Sequence, residues 1–148
     1  MKKQKVAIIG AGICGLYLAK KISEKGSSVT IFEKNKKIGK HACSGLFSRK
    51  ILDLIPESKN LIQNRISHAF LHFPKKTIRL DFSSDFLVME HYKLDQLVFD
   101  SLDRSKVKVF LGKRIDSIPS DFDRVIGCDG VHSQVRKLLN IKNCSYRI

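Results

Sequence analysis

The segment "KVAIIGAGICGLYLAKKISEKGSSVTIFE", residues 5–33, decides how the rest of the chain is read. Lys5 to Ile9 is a short β-branched and apolar run, the composition of a strand buried on both faces of a parallel sheet. Ile13 to Lys25 has helical spacing, with Leu16, Ala19 and Ile22 forming an inward stripe and Gly26 ending it. Ser28 to Glu33 reads as a second strand. Between strand and helix stand Gly10, Gly12 and Gly15 in G-x-G-x-x-G spacing. The pattern has a physical basis: Gly10 permits a tight turn, Gly12 lets a pyrophosphate approach the backbone, and Gly15 lets the helix pack close to the strand. The helix N-terminus offers free N–H groups and partial positive charge to the phosphates. Gly10, Ala11, Gly12, Ile13, Cys14 and Gly15 are therefore candidate dinucleotide-binding residues, together with Glu33, which can accept from a ribose hydroxyl, and the adjoining Lys34. The competing reading is a glycine turn that serves packing alone. The fingerprint does not separate FAD from NAD.

The chain has 148 residues, enough for one domain with its own core, and 43% of them are hydrophobic. Its formal net charge of +14 suits either an anionic partner or a general lysine bias. The lysines are scattered and lack the aromatic interleaving of a nucleic-acid module, so no nucleic acid is expected. Cys14, Cys43, Cys128 and Cys144 form no C-x-x-C pair, and their wide spacing argues against a zinc site and fits a reducing compartment. "MKKQK" followed by an apolar run imitates a leader peptide, but the run is broken by glycines and is too short to span a bilayer. A cytoplasmic location is expected. His41, His68, His72, His91 and His132 are scattered, with no Ser-His-Asp or metal constellation evident.

Further along, Gly45 to Ile55 reads as a short helix stopped by Pro56. "ISHAFLHF" and "KTIRLDF" read as antiparallel strands joined at Pro74-Lys75-Lys76, and "FLVME" as another strand. Helical spacing returns in "KLDQLVFDSLDR", followed by the strand "VKVFLG". Val125-Ile126 forms a last strand before the Gly-Cys-Asp-Gly turn and an amphipathic helix. The expected architecture is α/β: a Rossmann-like three-layer FAD/NAD(P)-binding domain over residues 1–148, with a small antiparallel β insertion at 64–90.

Four segments in order, the glycine turn, "KKIGKHACSGLFSRKILDLIP", "MEHYKLDQLVFDSL" and "VIGCDGVHSQVRKLL", resemble the FAD-dependent oxidoreductases of the para-hydroxybenzoate-hydroxylase-like group. Within it, the Cys-Ser-Gly-Leu turn is most similar to the geranylgeranyl reductase family, which saturates double bonds of isoprenoid lipids. The resemblance implies FAD as cofactor and Glu33 on the adenosine ribose. It also implies the turn at Cys43, Ser44 and Gly45 against the flavin, and the Ile115 backbone beside adenine. Asp129 and Gly130 fall in the pyrophosphate region; the alternative for Asp129 is a helix cap through Ser133. His91 stands where the family usually carries arginine, and is not its bidentate, permanently charged equivalent. The segment before Arg124 is too short for the family's β-meander, and its later Gly-Asp motif is absent. The chain is thus expected to be the N-terminal part of a longer flavoenzyme architecture, with the β insertion belonging to an incomplete substrate domain. The implied partners are FAD, an apolar lipid substrate, a chain that completes the fold, and at most peripheral membrane contact. The alternatives are a non-catalytic dinucleotide-binding fragment and an FAD-dependent aromatic hydroxylase relative.

Overall fold

A computed structural model describes residues 3–39 and 43–142; His41 and Cys144 lie outside the described residues. Strand β1 (Lys5–Ile9), helix α1 (Ile13–Glu24) and strand β2 (Ser28–Phe32) form where the sequence places them. With β6 (Val107–Phe110) and β7 (Arg124–Gly127) they build a parallel sheet in the order β6-β2-β1-β7. Pairing Val6 with Val29 and Ile8 with Ile31 puts these side chains on one face, continued by Val107 and Val109 on β6 and by Ile126 on β7. Helices α1 and α3 (His91–Asp100) cover that face through Leu16, Ala19, Leu94 and Val98, all buried. Each such Leu, Ile or Val contributes about 1.5–3 kcal/mol by leaving water.

The opposite face is covered thinly. Ile9, Ile115 and Val135 form a small cluster with Phe32, Ile118, Val125 and Leu138. The covering elements are the 111–123 connection and the five-residue helix α4 (Gln134–Leu138). Phe110 remains 48% exposed although it stacks on Phe32.

A second, antiparallel sheet places β5 (Lys76–Val88) between β3 (Leu46–Ser48) and β4 (Asn64–Phe73). Strand β4 (Asn64–Phe73) and strand β5 (Lys76–Val88) form a long hairpin, with Phe73 paired to Lys76 across the turn. Two expectations need correcting. "KTIRLDF" and the start of "FLVME" are not separate strands, because both lie in β5, which runs from Lys76 to Val88. Gly45 to Ile55 is not one helix: it holds strand β3 (Leu46–Ser48), and only Ile51–Leu54 is helical (α2). Leu46 pairs with Val88, and the Met89 N–H donates to the Gly45 carbonyl at 2.9 Å, so this backbone is engaged by a distant strand instead of by helical hydrogen bonds. Leu87 and Met89, fully buried in the main core, anchor the base of the hairpin.

Candidate functional site

The loops that follow β1, β2, β6 and β7 meet at the carboxyl edge of the parallel sheet and enclose an open cleft of about 710 Å³. The chain runs from β1 to β2 on one side and places β7 on the other, so the cleft sits where the strand order reverses, the usual ligand crevice of open α/β sheets. Gly10 lies at that junction with φ of 105°, and a Cβ there would stand 2.4 Å from the Cys128 carbonyl oxygen. A Cβ on Gly15 would meet the Gly10 carbonyl at 2.0 Å. These two positions need glycine for the protein's own backbone. Gly12 differs: it lines the cleft, and a Cβ there would meet no protein atom within 4 Å. It is also the N-cap of α1, with no capping side chain and no acidic residue in the first turn. The space beside it and the uncapped N–H groups are what a pyrophosphate would fill.

Glu33 is buried at the end of β2. Its Oε2 accepts the Ala11 N–H at 2.8 Å and its Oε1 accepts the Asn35 N–H at 2.8 Å. The carboxylate thus fixes the glycine turn against the loop after β2. Two oxygens with about four lone-pair sites leave it capacity for a ribose hydroxyl as well. Lys34, Ile115, Asp129 and Gly130 line the same cleft.

Asp129 is committed on its protein side. Its Oδ1 accepts the Ser133 hydroxyl at 2.6 Å, and its Oδ2 accepts the N–H groups of Gln134 and Val135. The Ser133 Oγ in turn accepts the Arg136 N–H at 3.1 Å. The capping role weighed from sequence is therefore present in the geometry, on a side chain that also borders the cleft. Burial opposes ionisation of Asp129, but the hydrogen bonds from Ser133, Val135 and Gln134 outweigh it, and its carboxyl titrates below the usual value.

Other expected residues fall elsewhere. Ile13 packs on the main core, Cys14 is exposed, and neither lines the cleft. Cys43, Ser44 and Gly45 also lie outside the lining. Ser44 accepts the Leu46 N–H at 3.4 Å, and Gly45 (φ 68°) passes so near the Met89 carbonyl that a Cβ would meet it at 2.6 Å. The scattered histidines hide one grouping that sequence reading did not find. His91 Nδ1 lies 3.2 Å from Cys43 Sγ, and its Nε2 lies 3.4 Å from Asp95 Oδ1. Asp95 was also missed as a cleft residue, as were the basic side chains Lys37, Lys113 and Arg114. The signal for the three basic residues was topological: they follow parallel strands at the edge that carries the glycine turn, whereas Asp95 lies within α3. Among the described residues no group of three or more His, Cys, Asp or Glu is placed to hold a metal ion. No helix of the described residues is long and apolar enough to cross a membrane.

Residues 8–56 match the family described as NAD(P)-binding Rossmann-like domain. Over 35 residues, 24% of this chain, the sequence is 54% identical to 4,4'-diapophytoene desaturase (4,4'-diaponeurosporene-forming) of Staphylococcus aureus, a segment that is 7% of that protein. Among solved structures, PqsL, a probable FAD-dependent monooxygenase from Pseudomonas aeruginosa, superposes with a TM-score of 0.77 at 21% identity, over 95% of this chain and 46% of PqsL. A 2-methyl-3-hydroxypyridine-5-carboxylic acid oxygenase gives 0.81 at 15% identity, over 95% of this chain and 43% of the oxygenase. A geranylgeranyl bacteriochlorophyll reductase-like protein from Thermoplasma acidophilum gives 0.60 at 22%, over 76% of this chain and 30% of its own. The chain therefore has a Rossmann-like dinucleotide-binding fold with an additional antiparallel sheet, and it spans less than half the length of each of these proteins.

Proposed function

We propose that the chain is the dinucleotide-binding part of an FAD-dependent oxidoreductase. The observation that carries this reading is the space beside Gly12, which lies at the strand-order switch between an uncapped helix N-terminus and the buried Glu33. FAD is favoured over NAD because the likeness to PqsL, a probable FAD-dependent monooxygenase, covers 95% of the chain and so extends well beyond the glycine turn.

In this reading the N–H groups at the start of α1 bind the pyrophosphate, and Glu33 orients the adenosine ribose. Asp129 and Gly130 border the cleft beside the glycine turn, and the Ile115 segment walls the adenine end. Lys34, Lys113 and Arg114 lower the electrostatic cost of the anionic cofactor. Bound FAD would supply the hydride-transfer chemistry that amino-acid side chains lack. The hairpin of β4 and β5 would begin the substrate domain. The remaining flavin contacts would come from further polypeptide, in the same protein or in a partner chain.

Two reactions fit this frame. Reduction of an isoprenoid double bond is supported by the Cys43-Ser44-Gly45-Leu46 turn and by the Thermoplasma neighbour. Hydroxylation of an aromatic ring is supported by the fuller overlap with PqsL and the oxygenase. The cofactor reading is tested by titrating the purified chain with FAD while following flavin fluorescence, with ADP and NAD as competitors. Saturable quenching, reversed by ADP and weakened about tenfold or more in Gly12→Ala, is expected. Binding of NAD with no response to FAD would overturn the FAD assignment.

A further inference from the structure

We infer that Cys43 is a modification site: an exposed thiol, served by His91 and Asp95, that reacts with hydroperoxides. The grouping does not depend on any cofactor in the cleft. His91 opens α3 and Asp95 lies one helical turn on, so the two share a face of the helix. Asp95 is buried, His91 is partly exposed and Cys43 is exposed, which gives the row a buried carboxylate end and an accessible sulfur end. The Phe47 ring packs against the imidazole with centroids 5.6 Å apart, limiting its rotation. The tautomer with its proton on Nε2 turns that proton toward the carboxylate oxygen 3.4 Å away. Nδ1 then faces Sγ at 3.2 Å as the acceptor. This is the order of a cysteine–base–orienter system, in which the base is itself held by a third group.

The other described cysteines have different surroundings. The Cys43 thiol is held below its usual range first by a hydrogen bond with the Gly45 backbone and then by His91. Burial pushes the Cys128 thiol up, with Cys14 and Asp129 adding to it. Among the described residues, the titratable groups facing the Cys43 thiol are His91 and, through it, Asp95; Gly45 and Ser44 add hydrogen bonds.

In the reaction the thiol proton passes to His91 Nδ1, and the thiolate sulfur attacks one oxygen of the hydroperoxide. An S–O bond forms as the O–O bond breaks, and the leaving oxygen takes the proton from the imidazolium and departs as water or an alcohol. The sulfur is oxidised by two electrons to a sulfenic acid, and the peroxide is reduced by two. A histidine can perform this transfer.

The test treats the intact chain with hydrogen peroxide in the presence of dimedone and quantifies label at each cysteine by mass spectrometry. Label at Cys43 should accumulate about tenfold or more faster than at Cys14, which is also exposed. Equal labelling of Cys14 and Cys43, or none at Cys43, would overturn the proposal without any variant being needed. The roles of His91 and Asp95 are read from the pH profile of Cys43 alkylation by iodoacetamide. In His91→Gln and in Asp95→Asn the midpoint should move to higher pH, while the plateau rate at high pH stays the same. A general loosening of the fold would move the plateau instead. A profile unchanged in His91→Gln would show that the imidazole does not activate the thiol.

Discussion

At the scale of single residues, Gly10 and Gly12 separate folding from binding. A Cβ on Gly10 would lie against the Cys128 backbone in a left-handed conformation, so Gly10→Ala strains the chain with or without ligand. Its expected cost is on the order of 2–4 kcal/mol, read as a lower denaturant midpoint. Gly12→Ala meets no protein atom and loses only a favourable N-cap residue, so it should cost no more than about 1 kcal/mol while dinucleotide affinity falls. If both variants lose stability equally, the space at Gly12 is not a ligand cradle. Asp129 offers a second residue-scale test. Its carboxyl titrates lower in the folded chain than in the unfolded one, so it stabilises the fold above the unfolded value of about 3.9. That contribution is lost as pH falls through the lower folded value. Asp129→Asn should therefore cost about 0.5–2 kcal/mol at pH 7 and show a shallower loss of stability on acidification, measured by urea titration across that range. The glycine spacing was legible in sequence because its constraints act within a few residues. The two backbone bonds of Glu33 were not, because nothing local says that its carboxylate turns back to Ala11.

At the scale of elements, the hairpin of β4 and β5 has two parts with different energetic roles. Its base carries Leu87, which is fully buried in the main core, whereas Leu80 farther along is 42% exposed. Leu87→Ala should destabilise the whole chain by about 2–5 kcal/mol, and Leu80→Ala by less than about 0.5 kcal/mol. Thermal unfolding followed by circular dichroism distinguishes these. Equal effects would mean that the second sheet unfolds as one unit, without the asymmetry its burial shows. The same junction explains what sequence reading got wrong. Residues Leu46–Ser48 adopt a strand because β5 supplies partners from far along the chain, and no local pattern of apolar residues announces that pairing. His91 and Asp95 were separated by a legible helical interval, but the third member, Cys43, reaches them only through the tertiary fold.

At the scale of the whole molecule, the net charge of +14 had two readings, an anionic partner or compositional bias, and the structure allows a choice between them by experiment. Lys34, Lys37, Lys113 and Arg114 come from two loops distant in sequence and converge on one cleft, so part of the scattered charge is gathered by the fold. Exposed charge of this kind acts over a Debye length, about 10 Å at 0.1 M salt and about 3 Å at 1 M. If the cleft takes a dinucleotide, affinity should fall several-fold as salt rises across that range, because the pyrophosphate is attracted by the whole basic rim. Replacing Lys113 and Arg114 together with alanine should weaken binding at low salt and flatten the salt dependence, leaving the affinity at 1 M nearly unchanged. Flavin fluorescence titrations at several salt concentrations read both slopes directly. A parent chain whose affinity ignores salt would assign the lysines to solubility. In that case binding would rest on the directed N–H groups at the start of α1 and the Glu33 carboxylate, contacts too short to be screened.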